Sequence, residues 1–198
     1  MKASRAEKNL IRKEMQAHRA GLDPAWCRTA GARIADTLAA LPEFALAEVV
    51  LAYLDYPREV PMDATLRAVW HAGKRVAVPA LREDGEYMPA WLTPADSTPV
   101  AKFGVRQPFP LYWAKPDRFD VVIVPGVAFT RQGGRLGHGR GYYDRMLARL
   151  RPRVGVRIGV CFASHLVEAV PMDEHDVPMD LVVTETGVFR RAEPVSSG

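Results

Sequence analysis

Residues 121–145, VVIVPGVAFTRQGGRLGHGRGYYDR, leave the backbone few options. Val121 to Val124 are β-branched without interruption and end at Pro125-Gly126, the pattern of a strand buried on both faces of a parallel sheet. Gly133, Gly134, Gly137, Gly139 and Gly141 follow, interleaved with Arg135, His138 and Arg140. Glycine admits positive φ and lets a backbone approach a ligand closely, so a glycine cluster among cations suits a polyphosphate. After Tyr142-Tyr143-Asp144, the residues Met146, Leu147 and Leu150 recur at helical spacing. Strand, basic glycine loop and helix in that order aim helix N–H groups at an anion. The alternative is a glycine-rich connector that holds nothing.

The rest of the chain reads as α/β. Ser4 with Glu7 has the form of a capping box, predicting a helix to about Ala20. On it Lys8 and Arg12 stand four apart and share a face, either a solvated basic face or a pair of ligand contacts. Asp23-Pro24 predicts an N-cap and first position of a second helix, running through Ile34 and Leu38 to Leu41, with Pro42 as its stop. Residues 48–54 read as a buried strand, followed by a loop carrying Glu59 at the edge where α/β folds gather ligands. A helix over 62–72, capped by Gly73, and a strand over 75–79 complete a strand–helix–strand unit, which implies a parallel pair.

Residues 86–92 extend the sheet, and a proline-punctuated stretch with Phe103, Phe109, Tyr112 and Trp113 reads as loop. Strands are predicted over 157–162 and 181–184, with a short turn or helix over 163–169 between them and a frayed tail from Arg190. Between those strands Asp173, Glu174, His175, Asp176 and Asp180 cluster. Neighbouring acids in a loop point in different directions, so one of them joining Asp144 would suffice for a hard cation such as Mg²⁺.

Length and charge narrow the classes. The 198 residues fit a single domain, and 48% apolar with 25% charged content is that of a soluble globular protein. A net charge of +4, gathered near the glycine loop and at 149–157, fits a small anionic ligand better than a nucleic-acid track. Cys27 and Cys161 lie far apart without a CxxC partner and read as buried apolar residues. The N-terminus lacks the apolar core of a signal peptide and no run approaches a membrane span, which points to a cytoplasmic protein with no membrane partner.

Two familiar phosphate motifs fail on spacing. Gly139 is followed by Arg140 and Gly141 rather than by Lys and Ser or Thr, so there is no P-loop. The glycines sit about a dozen residues after their strand, and position 157 is Arg where a ribose-binding acid would be wanted, which disfavours a dinucleotide fold.

PGVAF at 125–129 and GGRLGHGRGYYDR at 133–145 resemble the 5-formyltetrahydrofolate cyclo-ligase family, and the resemblance runs through residues 5–189. Lys8 and Arg12, YL…REV at 53–60, VAVP at 76–79 and HDVPMDLVVTETGV at 175–188 fall in family order. The resemblance implies a single-domain, three-layer α/β/α fold with a mostly parallel sheet. It implies an ATP- and Mg²⁺-dependent ligase that converts 5-formyltetrahydrofolate to 5,10-methenyltetrahydrofolate, with small-molecule partners only and a monomeric chain. Carried onto this sequence, Lys8, Arg12, Gly134, Arg135, Leu136, Gly137, His138, Gly139, Arg140, Gly141, Tyr142 and Tyr143 would bind ATP. Leu54, Glu59, Phe103 and Tyr142 would meet the folate, Asp144 and Asp176 would hold the metal, and Arg140 and Tyr142 would be catalytic. Many relatives carry Lys or Gly in place of Arg140, and PREVPM at 57–62 is not a typical family spelling. Rival readings are a cyclo-ligase-like ATP-binding paralogue with another substrate, and a nucleic-acid-binding module.

Overall fold

The computed structural model describes residues 5–100, 104 and 106–192; Ser4 and Phe103, named above, lie outside the described residues. Five helices and nine strands follow in the order α1 (Arg5–Ala20), α2 (Pro24–Ala39), α3 (Pro42–Leu46), β1 (Val49–Leu51), α4 (Asp63–His71), β2 (Arg75–Leu81), β3 (Tyr87–Leu92), β4 (Phe119–Pro125), β5 (Ala128–Phe129), β6 (Arg135–Leu136), α5 (Tyr142–Leu150), β7 (Val154–Val160), β8 (Leu181–Thr184) and β9 (Gly187–Arg190).

Seven strands form one sheet in the order β3-β2-β1-β4-β7-β8-β9. The five inner strands are parallel, and β3 and β9 close the edges antiparallel. The alternation in β4 explains why the sheet has two covered faces. Val121 and Ile123 face a core built with Ile34, Leu38, Leu66 and Val69 of α2 and α4, whereas Val122 and Val124 face Met146, Leu147 and Leu150 of α5. The result is the three-layer α/β/α arrangement. No helix among the described residues is long and apolar enough to cross a membrane.

Several boundaries differ from the sequence reading. The first strand has only three residues, because after Ala52 the chain leaves the sheet for the loop that carries Glu59. Pro42 does more than stop α2; it opens α3 at its first position, where its missing N–H costs nothing. The glycine loop contains a small hairpin, β5–β6, which periodicity over two-residue strands could not show. Of the tail expected to fray from Arg190, the first residues are held: β9 pairs with β8, Arg190 binds Glu43 and the Arg191 N–H donates to Asp180 O, while 193–198 lie outside the described residues. Both cysteines are buried and free, as expected of small apolar residues, and burial pushes both thiols up from their ordinary pKa.

Candidate active site

The order of the sheet reverses between β1 and β4, with β2 on one side and β7 and β8 on the other, and the crevice at such a point is where open α/β sheets bind ligands. A cleft of about 600 Å³ opens there. Leu54 and Tyr56 follow β1, Pro125 ends β4, and residues 135–144 supply the wall. Lys8 and Arg12 reach it from α1, and Asp176 from the segment before β8.

The glycine loop is shaped by two backbone demands. Gly133 has φ +85°, and a Cβ there would lie 2.2 Å from the carbonyl oxygen of Met179. One backbone hydrogen bond joins the two segments at that contact, the Met179 N–H donating to Gly133 O at 2.8 Å. Gly139 has φ +91°, and a Cβ would stand 3.1 Å from the Arg12 guanidinium carbon, so only glycine lets that cation lie against the loop. Gly141 is the N-cap of α5 and no side chain caps this helix, leaving its first N–H groups for a ligand.

Helix α1 has no buried residue, yet it is tied down by its cations. Ile11 and Met15 pack on Ala128, Leu136 and Val170. Lys8 Nζ lies 2.8 Å from Asp173 Oδ2 and 2.6 Å from Asp176 Oδ2. Burial favours its neutral amine, but hydrogen bonds to the two aspartates and their charges outweigh that, and the ammonium titrates above its usual range. The Arg12 Nε–H donates to Gly137 O at 2.9 Å, and burial lowers its pKa, partly offset by Asp176. Lys8 and Arg12 therefore face the cleft rather than forming a solvated stripe.

Arg135 is the least exposed cation of the loop. Its side chain is 3% exposed and Nη2 lies 2.5 Å from Asp144 Oδ1. Nη1 reaches Pro125 O only at 3.4 Å, and among the described residues the buried Nε has no hydrogen-bond partner. Leu136, Gly137, His138, Gly139, Arg140, Gly141, Tyr142, Tyr143, Asp144 and Asp176 all line the same cleft. Gly134 does not. Its N–H donates to Thr130 Oγ1 at 2.9 Å, closing the β5–β6 turn.

Glu59 also stands apart. It is 5% exposed and absent from the cleft wall. Its Oε1 meets Arg19 Nη1 and His138 Nε2, both at 3.2 Å, and Oε2 accepts from the Tyr56 N–H at 3.1 Å. Arg19 in turn donates to Gly126 O at 3.0 Å. The carboxylate thus reaches the cleft through His138 and the Tyr56 backbone, both of which line it. Of the acidic cluster, Asp173 and Asp176 take Lys8, Asp180 is held by Arg157 at 2.6 Å, and Glu174 and His175 pair with each other in solvent.

Sequence reasoning missed Tyr56, Tyr87, Pro79 and Arg106 of the wall, and Arg19 behind it. Tyr87 packs edge-on against Tyr142 with ring centroids 4.8 Å apart. Burial, reinforced by Tyr56 and Tyr142, holds the Tyr87 phenol far above its usual pKa, so it stays protonated and can act only as a neutral hydrogen-bonding and stacking group. The only signal available for Tyr87 was its place in the strand alternation of β3. The cleft therefore has two ends. Toward β4 and β8 it is lined by cations and carboxylates around a glycine loop; toward β1, β2 and β3 it is mainly aromatic and apolar, with Arg106 beside those residues.

The chain is similar to known proteins over most of its length. The profile of the 5-formyltetrahydrofolate cyclo-ligase family matches residues 4–185. The 5-formyltetrahydrofolate cyclo-ligase of Escherichia coli is 30% identical over 180 residues, spanning 86% of this chain and 96% of the relative. That of Mycolicibacterium smegmatis is 34% identical over 148 residues, 68% of this chain and 72% of the relative. The 5,10-methenyltetrahydrofolate synthetase of Aquifex aeolicus superimposes with a TM-score of 0.79 at 31% identity, covering 96% of each chain. The synthetase of Mycoplasma pneumoniae, at 23% identity, TM-score 0.72 and coverage of 90% of this chain and 99% of that one, shares the fold. With its strand–glycine-loop–helix unit and its profile match over nearly the whole chain, the protein belongs to the 5-formyltetrahydrofolate cyclo-ligase family.

Proposed function

We propose that the cleft takes ATP at its cationic end and 5-formyltetrahydrofolate at its aromatic end, and that the chain is a 5-formyltetrahydrofolate cyclo-ligase yielding 5,10-methenyltetrahydrofolate, ADP and phosphate. What carries this reading is the continuity of one 600 Å³ space between the two ends, so that both substrates can meet without leaving the protein.

The chemistry asks mainly for placement. A formyl amide carbon is a poor electrophile, and its oxygen is a poor leaving group. Attack of that oxygen on the γ-phosphorus breaks the bond to ADP and turns the oxygen into a phosphate ester. The N10 amine then adds to the activated carbon and phosphate departs. Aligning oxygen and phosphorus in line and neutralising the transferring group supply most of the catalysis. Lys8, Arg12 and the uncapped N–H groups of α5 are placed for the phosphates, and Arg140 adds charge on the same wall. Tyr142 stands where the two ends join, braced by Tyr87, and takes the position between nucleotide and folate. Leu54 and Tyr56 offer apolar and aromatic surface to the pterin, while Glu59 would act on it through His138.

Asp144 and Asp176 fit a divalent cation, since both are carboxylates on the phosphate side of the cleft. Among the described residues no group of three or more metal-ligating side chains forms, so phosphate oxygens would complete the shell. Once bound, Mg²⁺ would offset the charge of the β- and γ-phosphates. Lys8 and Arg135 balance the same two carboxylates otherwise. We also place the enzyme in the cytoplasm as a monomer; a light-scattering mass of two chains would overturn the latter.

The test is turnover. Purified protein with Mg²⁺, ATP and 5-formyltetrahydrofolate should develop the methenyl product's absorbance in step with ADP release. ADP release without that absorbance, or ATP turnover independent of the folate, would show that the chain acts on another substrate.

A further inference from the structure

Arg106 belongs to the long connection between β3 and β4 and lines the cleft at its aromatic end. Its neighbour Gln107 is pinned there, because the N–H of Leu81, the last residue of β2, donates to Gln107 Oε1 at 3.2 Å. Arg106 Nη2 donates to Thr98 Oγ1 at 2.7 Å. That neutral anchor fixes the guanidinium without spending its charge. Lys8 and Arg135, at the other end of the cleft, each face a carboxylate at 2.8 Å or closer. Arg106 has no such partner among the described residues; its charge acts only at longer range on Asp55, opposing the rise that burial imposes on that carboxyl.

A cation with a neutral anchor at the apolar end of a binding cleft is matched to an anion carried on an apolar group. The folate has that form: a planar pterin, a benzoyl spacer and a glutamate. Pro79 of β2 and Pro125 of β4 also line the cleft, and two strand spacings separate them, roughly 10 Å. The cleft thus spans the sheet edge from β4 to β2, with Leu54, Tyr56, Tyr87 and Arg106 in its wall. A guanidinium reads a carboxylate through two parallel N–H donors, which a diffuse charge cannot do.

We propose that Arg106 binds the α-carboxylate of the substrate's glutamyl tail and is the specificity-determining residue for glutamylated over unglutamylated substrate. This rests on the folate reading above, and the experiment separates the two. KM is measured for 5-formyltetrahydrofolate and for 5-formyltetrahydropteroate, which lacks the glutamate, in the wild type, Arg106→Gln and Arg106→Lys. The wild type should favour the glutamylated substrate about tenfold or more, the worth of one charge-assisted contact. In Arg106→Gln the ratio of the two KM values should fall toward one, and Arg106→Lys should restore part of it. Melting temperatures of the three proteins identify any loss of folding, which would lower the apparent kcat for both substrates alike and leave each KM in place. A ratio unchanged in Arg106→Gln, or a wild type that treats both substrates alike, overturns the proposal. A wild type that binds ATP but turns over neither substrate refutes the folate reading itself, and the glutamyl site falls with it.

Discussion

Removing the Asp144 carboxylate should unfold the protein at milder conditions as well as slow it. Arg135 is 3% exposed on its side chain, and its one short charged contact is the 2.5 Å bond to Asp144. Its Nε is already without a partner among the described residues, and Pro125 O is distant at 3.4 Å. Asp144→Ala therefore strands a buried guanidinium, a change that costs about 3–5 kcal/mol. Asp144 keeps 20% of its side chain exposed, so water can reach the gap and the lower end, about 3 kcal/mol, applies. In a domain of this size that lowers Tm by roughly 6–12 °C. Removing both partners should be gentler than removing Asp144 alone, because Arg135→Met leaves no charge to strand. Urea unfolding of the wild type, both single variants and the double variant closes the cycle, with a coupling of about 2 kcal/mol expected. Strictly additive effects, or an Asp144→Ala protein with an unchanged midpoint, would show that the pair is not the counter-ion system described. Loss of Mg²⁺-dependent turnover in Asp144→Ala is then to be measured well below its lowered Tm.

Gly133→Ala should be among the most damaging single changes, costing about 3 kcal/mol or more, because its Cβ meets a backbone oxygen at 2.2 Å in a positive-φ position; wild-type solubility and melting would contradict this. His165, 2% exposed, has its pKa lowered to about 4 by burial first and then by the charges of Arg19 and His18, with a backbone hydrogen bond at Met15 opposing. Unfolded, it titrates near 6.5, so above that pH it adds no pH dependence, and as pH falls from about 6.5 to 4 only the unfolded chain gains the proton. Stability should drop by up to about 3 kcal/mol across that window. In His165→Gln the slope there should flatten; an unaltered slope would assign it to other groups.

How much could be read in advance depended on how local each feature was. Asp23 caps α2 with its own side chain, accepting from Ala25 and Trp26, and Gly73 takes positive φ after α4; both were legible in a few residues. The inner parallel strands were legible because burial on both faces leaves an unbroken β-branched run, as in Val121 to Val124. The β5–β6 hairpin and β9 were not, because strands of two and four residues carry too few side chains for a period to emerge. In the site, the cations and acids of the glycine loop are contiguous in sequence and could be named together. Tyr56, Tyr87 and Arg106 come together only through the β1–β2–β3 pairing, so no local pattern joins them. Glu59 was recognisable as a carboxylate at the ligand edge. That Arg19, forty residues earlier, would bury it was not.

The central claim is that one cleft brings the γ-phosphate and the formyl oxygen together. A crystal structure with a non-hydrolysable ATP analogue, Mg²⁺ and 5-formyltetrahydrofolate tests it most directly. The account predicts triphosphate against the glycine loop and Lys8, pterin beside Leu54 and Tyr56, and the formyl oxygen about 3–3.5 Å from the γ-phosphorus. The two ligands bound in separate places, or the triphosphate away from residues 135–144, would contradict it.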